Sequence, residues 1–76
     1  MRTRIKPERY KEFCANAFNY GFRRVNQVLC KETNNYHIVI KSTGQIVAWK
    51  GSSKITDIDF DIIPALVWDG YVQKYE

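Results

Sequence analysis

The sequence predicts a single small α+β domain spanning 1–76: a three-stranded antiparallel meander with an N-terminal and a C-terminal helix, in the order α-β-β-β-α. Three observations carry that expectation. The stretch from Tyr36 to Trp49 places apolar and β-branched residues on both sides of Ser42-Thr43-Gly44, where Gly44 is free to take a turn's positive φ. Tyr10, Phe13, Cys14, Ala17 and Phe18 follow the i, i+3, i+4, i+7 spacing of one buried helix face. Finally, 76 residues leave room for one thin core, and a composition 45% hydrophobic and 14% aromatic is too apolar for a disordered chain.

Each element follows in chain order. The first six residues carry Arg2, Arg4 and Lys6 with few anchors and read as a basic, frayed arm. Pro7 opens the first helix, because a proline in the first turn sacrifices no hydrogen bond, and Glu8 suits the positive end of the helix dipole. Gly21 stops it. Phe22 to Glu32, free of Gly and Pro, reads as one long strand that turns at Thr33-Asn34-Asn35.

With Asn34 and Asn35 central in that turn, Leu29 faces Ile40 and Lys31 faces Ile38. With Thr43 and Gly44 central in the next, Ile40 faces Val47 and Ile38 faces Trp49. These registers gather Val25, Leu29, Ile38, Ile40, Val47 and Trp49 on a core face. The opposite face receives Arg24, Val28, Cys30, Glu32, His37, Val39, Lys41, Ala48 and Lys50.

After Gly51-Ser52-Ser53 two patterns compete: Ile58, Phe60 and Ile62 alternate with Asp57, Asp59 and Asp61 as in a strand, while Thr56-x-x-Asp59 resembles a helix start. The preferred reading is a helix from about Phe60 to Asp69 closed by Gly70, with Pro64 either starting or kinking it.

The chemistry-bearing residues argue against catalysis and metal binding. Asp57, Asp59 and Asp61 mimic the opening of a calcium loop, but Ile62 stands where that loop needs glycine and Trp68 where it needs glutamate. One histidine and two cysteines cannot fill a structural zinc site, and the four glycines are scattered one per turn instead of forming a phosphate loop. The expectation is therefore a non-enzymatic protein with no cofactor and no small-molecule substrate. No apolar run spans a bilayer and no leader is recognisable, so a cytoplasmic location without membrane contact follows, with Cys14 and Cys30 as free thiols.

Charge supplies the functional hypothesis. Residues 1–50 hold ten Lys/Arg against three acids, whereas 51–76 hold two against five. Arg2, Arg4, Lys6, Arg9, Lys11, Arg23 and Arg24 suit phosphate contacts, which makes nucleic acid one expected partner. The alternative is a small regulatory or accessory protein of the kind phages encode. It would contact a protein, or a second copy of itself, through a strand edge or through Val28, Cys30, His37, Val39 and Ala48 on the outer sheet face. The element order resembles that of double-stranded-RNA-binding domains. Those carry a basic cluster at the second helix, where this chain has Lys54 followed by three aspartates, and that departure argues against the family.

Overall fold

The computed structural model describes residues 2–55 and 62–75. Its body is one antiparallel sheet of seven strands: β1 (Arg2–Ile5), β2 (Arg23–Val25), β3 (Val28–Glu32), β4 (His37–Ile40), β5 (Gln45–Lys50), β6 (Ser53–Ile55) and β7 (Val72–Tyr75). The spatial order is β2-β3-β4-β5-β1-β7, with β6 also paired to β5. The chain is α+β as expected, but the three-stranded meander is only the middle of a larger sheet. One edge of β5 is shared along its length, β1 pairing with Gln45 and Ile46 and β6 with Ala48, Trp49 and Lys50.

The expected N-terminal arm is a strand. Thr3 and Ile5 point into the protein and are each 1% exposed, while Arg2 and Arg4 alternate outward. That period of two is what a half-buried strand requires. The partners of Thr3 are Ile46 and Lys74, so nothing near it in sequence announces the pairing. The expected long strand from Phe22 to Glu32 is also revised. It folds back on itself between Val25 and Val28, with Asn26 at φ 56, a conformation that asparagine tolerates better than most residues.

The helical layer is short-stepped. A 3₁₀ turn at Pro7–Arg9 leads into α1 (Tyr10–Asn16), and a second 3₁₀ turn, Ala17–Tyr20, ends at Gly21. The second helix, α2 (Pro64–Trp68), has Pro64 in its first turn, so the proline starts it. The part of the expected C-terminal helix at Phe60 and Asp61, and the aspartates at 57, 59 and 61, lie outside the described residues.

The turn between β4 and β5 decides which side chains face inward. Gly44 N–H donates to Lys41 O at 2.8 Å, Lys41 N–H donates to Gln45 O at 2.9 Å, and Gly44 sits at φ 90. The loop therefore has three residues, closed by a glycine bulge, where the sequence suggested two. One extra loop residue slips β5 by one. Ile38 pairs with Ala48 and Ile40 with Ile46, while His37 faces Trp49 and Val39 faces Val47. Because successive strand side chains alternate faces, Ala48 enters the core and Val47 and Trp49 move to the other face. The β3–β4 register matches the expectation, with Leu29 opposite Ile40 and Lys31 opposite Ile38.

One cluster forms the core. Leu29, Ile38, Ile40, Ile46 and Ala48 from the sheet meet Phe13 and Ala17 from the first helical segment, and Ile63 and Leu66 from the second. Phe13 is fully enclosed, its ring 5.6 Å from Phe22 and 5.5 Å from Tyr71, both edge-on. Lys31 reaches the rim of this face by laying its ammonium 5.7 Å from the Phe22 ring centre and donating to Tyr20 O at 2.7 Å. Both helical segments thus cover the same side of the sheet.

Candidate functional site

With both helical segments on one side, the other side of the sheet is the surface on which the chemistry-bearing residues collect. Strand alternation and register place them in three rows. One runs through Arg23, Cys30, Val39 and Val47 and continues at Arg2 and Tyr75. The second joins Gln45, Arg4 and Gln73 beside the β4–β5 turn, where Lys41 is exposed. The third runs Glu32, His37, Trp49, Lys54.

The centre of this face is not an open apolar patch. Val47 is 4% exposed, and Val28, Cys30 and Val39 are half-buried. Ala48, expected on this face, is wholly buried on the core side because of the one-residue slip. What the face presents instead is a charged and aromatic border. The Arg4 guanidinium lies over the Tyr75 ring, 4.5 Å from its centre, and its Nε donates to Gln73 Oε1 at 2.7 Å. At the other end the rings of His37 and Trp49 are 5.9 Å apart, and His37 Nδ1 is hydrogen-bonded to the Glu32 carboxylate.

Among the described residues both sides of the sheet carry more Lys and Arg than Asp and Glu. Arg2, Arg4, Arg23, Lys41 and Lys54 belong to the face that no helical segment covers among the described residues, the uncovered face below, and Glu32 is its one acid among them. Glu8, Glu12 and Asp69 belong to the helical side, together with Arg9, Lys11, Arg24, Lys31, Lys50 and Lys74.

The seven basic residues expected to form one surface are therefore divided. Arg2, Arg4 and Arg23 share the uncovered face. Arg24 takes the opposite orientation in β2, facing Leu29, and its charge acts on Tyr10. Lys6 lies in the link after β1, held by its N–H to Tyr71 O at 2.7 Å, and Lys11 is exposed on α1. Arg9 is committed to the fold: its guanidinium sits 4.0 Å from the Tyr71 ring centre, pairs with Glu12 and donates to Asp69 O. Sequence reasoning missed Trp49 and Tyr75 as members of the face and gave no role to Lys54.

Around Arg9 lies a polar clamp that joins the N-terminal helical segment to the start of β7. Tyr71 O–H donates to Glu12 Oε2 at 2.7 Å, and Tyr20 O–H donates to the Asp69 carboxylate. The Tyr71 hydroxyl and then Arg9 hold the Glu12 carboxyl below its usual value. The carboxylate acceptors push both tyrosine hydroxyls up, Tyr20 through Asp69 and Tyr71 through Glu12. This clamp is architecture.

Both cysteines are free, Cys14 packed against the core on the helical side and Cys30 on the other face. Among the described residues no three His, Cys, Asp or Glu side chains gather where they could hold a metal, and no helix is long and apolar enough to cross a membrane. Comparison with known proteins adds no relative: no family model matches the chain, and neither curated proteins nor solved structures give a match.

Proposed function

We propose that this protein is a non-catalytic, cytoplasmic nucleic-acid-binding module that uses the uncovered face of its sheet. The observation that carries the reading is the make-up of that face: five cations with a single, histidine-paired acid, bordered by the rings of Tyr75 and Trp49, all among the described residues. Such a face attracts a polyanion. Arg23 on β2 and Arg4 on β1 are four strand spacings apart, about 19 Å at the usual inter-strand distance, so the cations follow a track and not a point. The near-closure of Val47 and its half-buried neighbours favours this reading over an apolar protein contact on the same face.

The test is an anisotropy titration of a labelled oligonucleotide against charge-reversal variants. Arg23→Glu and Lys41→Glu, both exposed, should each weaken binding several-fold, while Lys11→Glu on α1 should not. Equal effects on both sides of the protein would overturn the proposal.

A second reading is pairing of another chain along β2. All three of its residues are exposed, Val25 being 50% exposed at the end of the sheet, and an edge strand offers unpaired backbone groups. It expects concentration-dependent self-association or partner binding that Val25→Asp abolishes, and a monomer at all concentrations counts against self-pairing.

A further inference from the structure

One end of the basic face opens into a shallow cleft of about 360 Å³ between the β3–β4 turn and β5. We infer that this cleft accepts an unpaired nucleobase, which makes single-stranded nucleic acid the ligand of the face; the inference rests on the binding role proposed above. Three features of the cleft support it.

The first is aromatic surface, in a cleft whose lining carboxylate, Glu32, is taken up by His37. Trp49 and His37 form part of the wall, their rings 5.9 Å apart and inclined by 48°, so a planar guest can lie against one of them without first separating a stacked pair. Lys54 stands opposite Trp49 on β6, where it can meet the phosphate of a nucleotide whose base has entered.

The second is a set of spare hydrogen-bonding groups. The turn is held by its own contacts: Tyr36 N–H donates to Thr33 Oγ1 at 2.9 Å, and Thr33 N–H donates to Tyr36 O at 2.8 Å. Its two exposed amides, Asn34 and Asn35, make no side-chain hydrogen bond among the described residues. A primary amide offers both donors and an acceptor, the pattern that a base edge complements. The turn's own hydrogen bonds hold the backbone that presents the two amides.

The third is shape. A duplex keeps its bases stacked inside and is read by an element that enters a groove. Here five cations lie on a sheet face and the helical segments pack behind it, so that no helix is presented beside them among the described residues. A single strand can lie across the face with its phosphates on Arg23, Lys41, Arg2 and Arg4 and turn one base into the cleft.

The experiment uses Trp68→Phe, a change at a side chain that is 88% exposed, to leave Trp49 as the sole tryptophan. A single-stranded oligonucleotide of about 12 residues, within the usual site sizes, is compared with its own duplex by anisotropy and by Trp49 emission. The expected result is tighter binding of the single strand, with quenching of Trp49 that the duplex does not produce. Trp49→Ala should weaken single-strand binding roughly 5- to 150-fold, the range for loss of one stacked base, with Trp49→Phe restoring most of it. Because quenching is read with the cleft intact, the conclusion survives even if Trp49→Ala is too unstable to assay. Equal affinity for both forms, with Trp49 emission unchanged, overturns the cleft inference and leaves the polyanion reading standing. Failure of every nucleic acid to bind overturns both.

Discussion

Replacing Gly44 by alanine tests the turn that sets the β5 register. Gly44 lies at φ 90, a conformation that costs a residue with a Cβ about 1–3 kcal/mol. A Cβ at that position would also stand 3.3 Å from Ile5 O, tighter than ordinary contact, and the atom in the way is backbone. The same carbonyl region is already fixed, since Ile5 N–H donates to Gly44 O at 2.8 Å and so ties β1 to the turn. Moving Ile5 away to relieve the contact loosens that bond, which contributes roughly 1 kcal/mol. The two effects together come to about 2–4 kcal/mol. For a domain of this size each kcal/mol shifts Tm by about 4–8 °C, so Gly44→Ala should lower Tm by roughly 8 to 30 °C. Gly51→Ala is the control, because Gly51 also has a positive φ, 63, but an added Cβ there meets nothing within 4 Å. It should show the conformational part alone. Thermal and urea unfolding of the two variants read the difference directly, and equal losses would refute both the contact with β1 and the three-residue loop behind it.

Other outcomes follow from the same structure. Thr3 is 1% exposed and its hydroxyl has no hydrogen-bond partner among the described residues, so Thr3→Val, nearly isosteric, should stabilise by about 1–3 kcal/mol in urea melts; no gain would mean that the hydroxyl is satisfied. Phe13→Ala should cost about 3–5 kcal/mol, a large share of the roughly 4–11 kcal/mol expected of 76 residues, and near-UV circular dichroism should show the aromatic cluster lost. Stability should have two pH shoulders. Glu12 titrates below its usual 4.5 when folded, so its contribution is present above that pH and disappears as pH falls through the lowered value. Tyr20 titrates above 10.0 when folded, so its contribution is present below that pH and is lost as pH rises. Glu12→Gln should flatten the acid shoulder of Tm against pH, and an unchanged shoulder would remove Glu12 from the clamp's energetics. If all five cations of the sheet face meet phosphates of a single strand, the salt slope should approach about −3.5, a loss of roughly 100-fold between about 50 and 200 mM. A slope near zero would exclude phosphate contact.

Local pattern alone was enough for part of this protein. The spacing of Tyr10, Phe13, Cys14 and Ala17 placed one buried face, while Phe18, expected on the same face, is 83% exposed because the helix gives way to a 3₁₀ turn at Ala17; Pro64 could be narrowed to the start or the kink of a helix, and Asn34-Asn35 gave the β3–β4 register correctly, because each depends on residues a few positions apart. The residue types also set the chemical range, with much arginine and lysine, scattered glycines and few groups suited to metal binding.

Tertiary structure decided the rest. Thr3 finds Ile46 and Lys74 across most of the chain, so β1 and β7 become strands through partners that no local window contains. The face carried by β5 turned on one loop residue at Gly44, and with a period of two a single step exchanges Ala48 for Val47 and Trp49. That exchange put an aromatic ring beside His37. The packing of both helical segments on the opposite side then left Trp49, His37 and five cations on the sheet's uncovered face, an arrangement set by how the core closes and by no motif in the chain.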